Sequence, residues 1–148
     1  MYAKEIEKLF ADEKTIDLVL EDIRENLEIV DKWTDVNSSD FGDNKEEIKK
    51  AIDQLSKAYK NIRVVAGIAE SEYRSRDDGY YSEKKIQAEA NGEKFIDAIT
   101  KKEASLAVAE YRRIRNITVA YSDACNKRIT VLQSILKDIA SEHNSSQE

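Results

Sequence analysis

Ile48, Ile52, Leu55, Tyr59, Ile62, Ala66, Ala69 and Tyr73 follow one another at alternating spacings of four and three residues. Such a row repeats every 3.5 residues on average, which is the seam of a helix packed coiled-coil fashion against a neighbour. It predicts one helix from about 44 to 76. Nothing in the chain opposes helices of that length. It has no proline, where average usage would supply about seven at roughly 5%, and only four glycines in 148 residues.

The segments around the seam extend the same reading. Residues 3–11 form a short helical candidate. Ile16, Val19, Leu20, Ile23, Leu27, Val30 and Trp33 mark the inner face of a second helix over about 15–33. Thr34 to Asn44 is rich in Ser, Asn, Asp and Gly and reads as a loop, with Asp43 or Asn44 able to cap the next helix and Glu46 and Glu47 well placed at its positive end. At Arg76 to Ser82 the periodicity stops, and Asp78 with Gly79 is turn chemistry, so the chain is expected to reverse there. A fourth helix then runs from about 83 to 141 with Gly92 as its weak point. Its apolar positions include Ile86, Phe95, Ile99, Leu106, Ile114, Cys125, Leu132 and Ile139, a stripe too wide for a single partner helix. The fold class expected is all-α: a long antiparallel, coiled-coil-like hairpin over 44–141 with one or two N-terminal helices over 3–33 packed on it. One domain over 1–141 and a polar tail over 142–148 complete the organisation. At 1.5 Å per residue the third helix would span about 50 Å and the fourth nearly 90 Å. The surplus apolar face of the fourth must be covered by the N-terminal helices or by another copy of the chain, so a homo-oligomer is expected.

Few residues suit catalysis. A nucleophile and its base must lie within hydrogen-bond reach, and the chain has one cysteine, Cys125, inside an apolar helical pattern, and one histidine, His143, in the polar stretch SEHNSSQE. Asp35, Asn37, Ser39, Asp40 and Asp43 resemble a calcium loop superficially but lack its glycine and its closing glutamate, and read as a turn and cap. No glycine-rich phosphate loop is present. No enzyme, no cofactor, no metal and no small-molecule substrate is expected. The longest apolar run falls far short of the roughly 18 residues a bilayer requires, and MYAKEIEKLF lacks a signal peptide's apolar centre, so a cytoplasmic protein without a membrane partner is expected.

Charge is uneven along the chain. Residues 1–56 carry 8 Lys and Arg against 16 Asp and Glu, whereas residues 57–140 carry 16 against 12. Two interaction readings follow. Arg74, Arg76, Lys101, Lys102, Arg112, Arg113 and Arg115, interleaved with tyrosines, suit single-stranded nucleic acid, because cations neutralise phosphates and aromatic rings stack on bases. Asp17, Glu21, Glu25 and Glu28, with Tyr80 and Tyr81, suit a protein partner, the acidic face filling a basic site such as the groove of a host defence nuclease. A third reading needs no ligand: the cations pair with neighbours such as Glu70, Glu72 and Glu110 at helical spacing.

The segment A-Y-K-N-I-R-V-V-A-G-I-A-E-S-E-Y-R from Ala58, the stretch Ala69–Tyr81, and the later A-E-Y-R-R-I-R-N-I-T-V-A-Y and L-Q-S-I-L-K resemble small helical proteins encoded among the recombination functions of tailed bacteriophages, the UvsY-like recombination mediators included. Thr15 to Trp33 echoes their N-terminal helical segment. The resemblance implies an oligomeric protein in the host cytoplasm that binds single-stranded DNA and helps load a recombinase, with Arg74, Arg76, Arg112, Arg113 and Arg115 as contacts. The acidic net charge of −6 departs from the basic character of those mediators.

Overall fold

A computed structural model describes residues 2–12 and 15–147, with side chains described through Glu142. His143 therefore lies outside the residues whose side chains are described. The described residues form six α-helices and one 3₁₀ turn: α1 (Tyr2–Ala11), α2 (Leu18–Asp22), α3 (Arg24–Thr34), a 3₁₀ turn (Ser38–Phe41), α4 (Lys45–Asn91), α5 (Asp97–Ala107) and α6 (Ala109–Gln147). No strand occurs among the described residues. The all-α class and the long helical hairpin of α4 against α6, with short N-terminal helices packed on it, are as expected. None of the described helices is long and apolar enough to cross a membrane.

The position of the reversal is not as expected. Residues 76–82 continue α4, and Gly79 stays helical, because positive φ is confined to Gly42 and Gly92. The chain turns after Asn91. Gly92 adopts φ +64, its N–H donates to the Glu89 carbonyl (3.4 Å), and the Glu93 N–H donates to the Ala88 carbonyl (2.9 Å). This is a Schellman cap, in which a left-handed glycine lets the last carbonyls of the helix find donors. The single helix expected over 83–141 is thus three pieces: the end of α4, then α5, then α6, the last two separated by Val108 alone. Likewise the helix expected over 15–33 is broken at Ile23, whose φ of −97 and ψ of 5 are not helical, into α2 and α3. In the polar stretch 142–148, helical backbone reaches Gln147.

The chain forms two compact units. The first comprises Met1–Val19 and Val65–Ile117, the second Leu20–Val64 and Thr118–Glu148.

In the second unit α3 runs antiparallel to the start of α4, with Trp33 Nε1 donating to Gln54 Oε1 (2.8 Å) and Asn61 to Asn26 (3.1 Å). The C-terminal part of α6 completes the bundle. Its core joins Val30, Trp33, Phe41, Ile48, Ala51, Leu55, Ala58, Ile62, Cys125 and Leu132. The seam of α4 is therefore displaced from the expected row. Ile48, Leu55 and Ile62 lie at its centre, but Ala51 and Ala58 share it while Ile52 and Tyr59 are partly buried at the flank. Alanines at the centre fit a helix that faces two neighbours rather than one, since small side chains allow backbones to approach. The loop before α4 is also ordered. Phe41 is buried and stacks on Trp33 at 6.1 Å between centroids, and Asn44 caps α4 by accepting the Glu47 N–H (3.1 Å).

In the first unit α1 lies along the later part of α4, with Ile6 and Phe10 fully buried. Here α5 and the first turns of α6 pack on α4. Thr100, Ala104 and Val108, four residues apart, form the buried face of α5.

Candidate interaction surfaces

The first unit holds all seven basic residues expected to contact nucleic acid, and six of them are already engaged. Arg76 is the most constrained. Its Nε pairs with Glu72 (3.2 Å), its Nη2 donates to the Phe10 carbonyl (2.9 Å), and its guanidinium lies 4.4 Å from the Tyr111 ring centroid. Glu70 bridges two more cations, Arg74 from its own helix (2.6 Å) and Arg115 from α6 (3.2 Å), and Arg115 also covers the Tyr73 ring at 5.0 Å. Arg76 and Arg115 are only 29% and 28% exposed. Both serve to hold α6 on α4, and the tyrosines beneath them are taken as cation–π partners. Arg112 donates to Ser105 Oγ (2.6 Å), Arg113 pairs with Glu110 (3.0 Å) and Lys101 with Asp97 (3.1 Å). Lys102 alone has no partner among the described residues.

The tyrosines named for a protein partner sit in the same unit and belong to local clasps. Tyr80 is half-buried with Lys84 beside its ring, and Tyr81 packs edge-on against Phe95 (5.6 Å) while its hydroxyl donates a short hydrogen bond to Asp97. That bond holds the Asp97 carboxyl below its ordinary range, with Lys101 acting in the same sense, and it raises the Tyr81 hydroxyl. Tyr81 stays protonated and Asp97 charged through neutral pH, so the pair is a structural tie rather than an acid–base couple. It closes one side of a groove of about 550 Å³ lined by Tyr73, Asp77, Asp78, Tyr81, Lys101 and Ser105. No nucleophile and base are paired in that groove. Among the described residues, no group of three His, Cys, Asp or Glu could hold a metal ion.

The acidic residues divide between the units. Asp17 is exposed in the turn before α2, in the first unit, whereas Glu21, Glu25 and Glu28 are exposed in the second. Arg24 is shared between Glu21 (3.1 Å) and Glu28 (4.0 Å). Residues 20–35 carry six acidic side chains against Arg24 and Lys32. Of these, Glu25, Glu28 and Asp31 lie on α3, which is held by its buried Val30 and Trp33 and by the Tyr121 hydroxyl, which donates to Asp31 (3.1 Å); burial first, and then this bond, raise the Tyr121 hydroxyl.

The charge asymmetry along the chain does not survive folding. Counted by compact unit, the first carries 13 Lys and Arg against 15 Asp and Glu and the second 11 against 15. Neither is net basic: residues 65–117 carry 10 of each sign, and the basic excess of 57–64 and 118–140 falls in the second unit beside the acidic residues 20–56.

Two residues with demanding roles were not singled out by the sequence reading. Arg128 donates through Nε to the Trp33 carbonyl (2.9 Å), through Nη1 to Ser38 Oγ (3.0 Å) and through Nη2 to the Val36 carbonyl, pinning the loop before α4. Gln54 receives the indole N–H of Trp33. The loop's lack of apolar residues was the one signal that something distant must fix it. Ile86, Ile99 and Leu106, expected within one apolar stripe, are instead 66%, 51% and 69% exposed: Ile86 lies on the last turns of α4, and the break at Gly92 puts Ile99 and Leu106 on a separate helix, α5, with its own phase.

Comparison with known proteins yields no matching family model, no matching curated protein and no matching solved structure.

Proposed function

We propose that this protein is a non-catalytic binding module that uses the acidic face formed by the end of α2 and by α3 to engage a basic surface on a partner protein. One observation carries the reading: Glu21, Glu25 and Glu28 are exposed in a stretch where acidic groups outnumber basic ones three to one, while most of the candidate cations are neutralised within their own unit. A negative face on a packed helix attracts a cationic partner over about a Debye length and fixes its orientation on contact. A partner with a nucleic-acid groove, such as a nuclease, presents that chemistry. The test is affinity capture at low and high salt with the wild type and with a Glu21→Gln, Glu25→Gln, Glu28→Gln variant. The expected result is a basic partner retained by the wild type at low salt and lost by the variant. Equal capture by both proteins, or none by either, removes the reading.

Contact with single-stranded DNA, and through it assistance to a recombinase, is the second reading. Arg74, Lys101 and Arg113 keep half or more of their side-chain surface exposed despite their carboxylate partners. Exposed pairs of this kind are worth about 0–1 kcal/mol, so phosphates can replace the carboxylates. Fluorescence anisotropy on single-stranded DNA at low salt tests it. Binding that Arg112→Glu with Arg113→Glu abolishes supports it, and absence of binding removes it.

A further inference from the structure

Six large apolar side chains are markedly exposed among the described residues, and three of them, Ile96, Ile99 and Leu106, belong to α5 or its first flanking residue, at 46%, 51% and 69%. Ile99 and Leu106 occupy the face opposite the buried Thr100, Ala104 and the C-cap residue Val108, whereas Ile96 is the extended N-cap residue ahead of the helix. Between Ile99 and Leu106 on the outer face stand Lys102 and Glu103, both exposed and neither ion-paired among the described residues. At 3.6 residues per turn, positions 99, 102, 103 and 106 project within about 60° of one direction. The order along this face is apolar, positive, negative, apolar. Its reverse is apolar, negative, positive, apolar, so the face is complementary to itself when turned end for end.

We infer that α5 is a dimerisation helix whose outer face packs antiparallel on α5 of a second copy of this chain. A two-fold axis between residues 102 and 103 sets Ile99 against the partner's Leu106 and Lys102 against the partner's Glu103, each contact occurring twice. This is the isologous geometry of most two-fold interfaces. Helices packed 8–10 Å apart bring such side chains into contact. A different partner would need the matching order of charges by coincidence, whereas a second copy supplies it from the same sequence. The contact is independent of the acidic face of α2 and α3.

Sedimentation velocity across a concentration series tests the pairing. The wild type is expected to show a reversible monomer–dimer equilibrium. Lys102→Glu alone and Glu103→Lys alone each place like charges opposite one another twice, and each should raise the dissociation constant by on the order of tenfold. The double swap K102E/E103K restores opposite charges and should return the constant to near the wild-type value. An equimolar mixture of the K102E chain and the E103K chain should form a mixed dimer more tightly than either forms with itself. Ile99→Ser with Leu106→Ser should leave a monomer whose helical circular dichroism is unchanged and which melts like the wild type at concentrations where the wild type is itself monomeric, because both side chains are exposed. A wild type that stays monomeric at the highest attainable concentration overturns the inference, including the case in which the α5 face proves to bind a different protein. A dimer indifferent to these substitutions overturns it as well.

Discussion

Arg128 does for the loop of residues 35–44 what an apolar core cannot, since apart from Val36 and Phe41 the loop has little to bury. Its planar fork reaches two carbonyls and a hydroxyl at once, a task for which the point charge of lysine is poorly shaped. Arg128→Ala should destabilise the second unit by about 1–3 kcal/mol, and Arg128→Lys should recover less than half of that. Urea unfolding followed by the fluorescence of Trp33, the single tryptophan and 2% exposed, measures both. Cys125 presents the opposite case, a residue whose role was plain from its setting. Its apolar helical neighbourhood indicated a packed thiol, and the side chain is fully buried with Sγ donating to the Leu55 carbonyl (3.2 Å). Burial pushes the thiol from 9.0 to about 11. Since the thiolate is the reactive form, Cys125 should resist thiol reagents at neutral pH until the protein unfolds, which a timed labelling assay with and without denaturant would read. The sign for stability follows from proton uptake: between pH 9 and 11 the unfolded chain has lost the proton that the folded chain keeps, so this contribution is complete below pH 9 and is lost as pH rises through 11.

At the level of helices, two glycines carry opposite predictions. Gly79 has helical φ, and a methyl group added there would meet nothing within 4 Å, so Gly79→Ala should stabilise by about 0.5–1 kcal/mol. Gly92 has equal space but φ +64, and Gly92→Ala should destabilise by about 1–2 kcal/mol from the left-handed conformation alone. Thermal unfolding of the two variants therefore reports where the chain turns; the reverse order would restore a turn at 76–82. Both sites carry turn chemistry in sequence, Asp78-Gly79 and Asn91-Gly92, and local propensity does not separate them. Tertiary contacts do. Arg76 is tied to Phe10 and Tyr111, and Tyr81 to Asp97, contacts across 16 to 66 residues that keep α4 helical past Gly79 and that no single-sequence pattern encodes. What local chemistry determines alone was legible: α1, the Asn44 cap, and the helical pairs of Arg74 with Glu70, Arg76 with Glu72 and Arg113 with Glu110. The bridge from Glu70 to Arg115 was not, because it joins helices 45 residues apart.

For the whole molecule, the decisive quantity is how charge is distributed after folding rather than along the chain. A net of −6 divides as −2 and −4 between the compact units, so neither offers the excess of cations from which polyelectrolyte binding draws its strength. The salt dependence of any DNA affinity is bounded accordingly. Each phosphate neutralised on a single strand contributes about −0.7 to the slope of log K against log salt, and among the seven candidate contacts the exposed cations are Arg74, Lys101, Lys102 and Arg113. Arg76 and Arg115 are excluded, because removing them from Tyr111 and Tyr73 would loosen the packing of α6 on α4. The slope measured by anisotropy titration should be no steeper than about −3, with little binding left at physiological salt. A steeper slope accompanied by a rise in the susceptibility of α1 to proteolysis on DNA addition would mean that Arg76 leaves Tyr111 to reach the strand, since Arg76 also holds the Phe10 carbonyl. An acidic partner surface makes the opposite demand. Capture through Glu21, Glu25 and Glu28 disturbs no packed side chain, so it should weaken with salt while α1 stays as resistant to proteolysis as in the free protein, a combination that separates the two modes of binding.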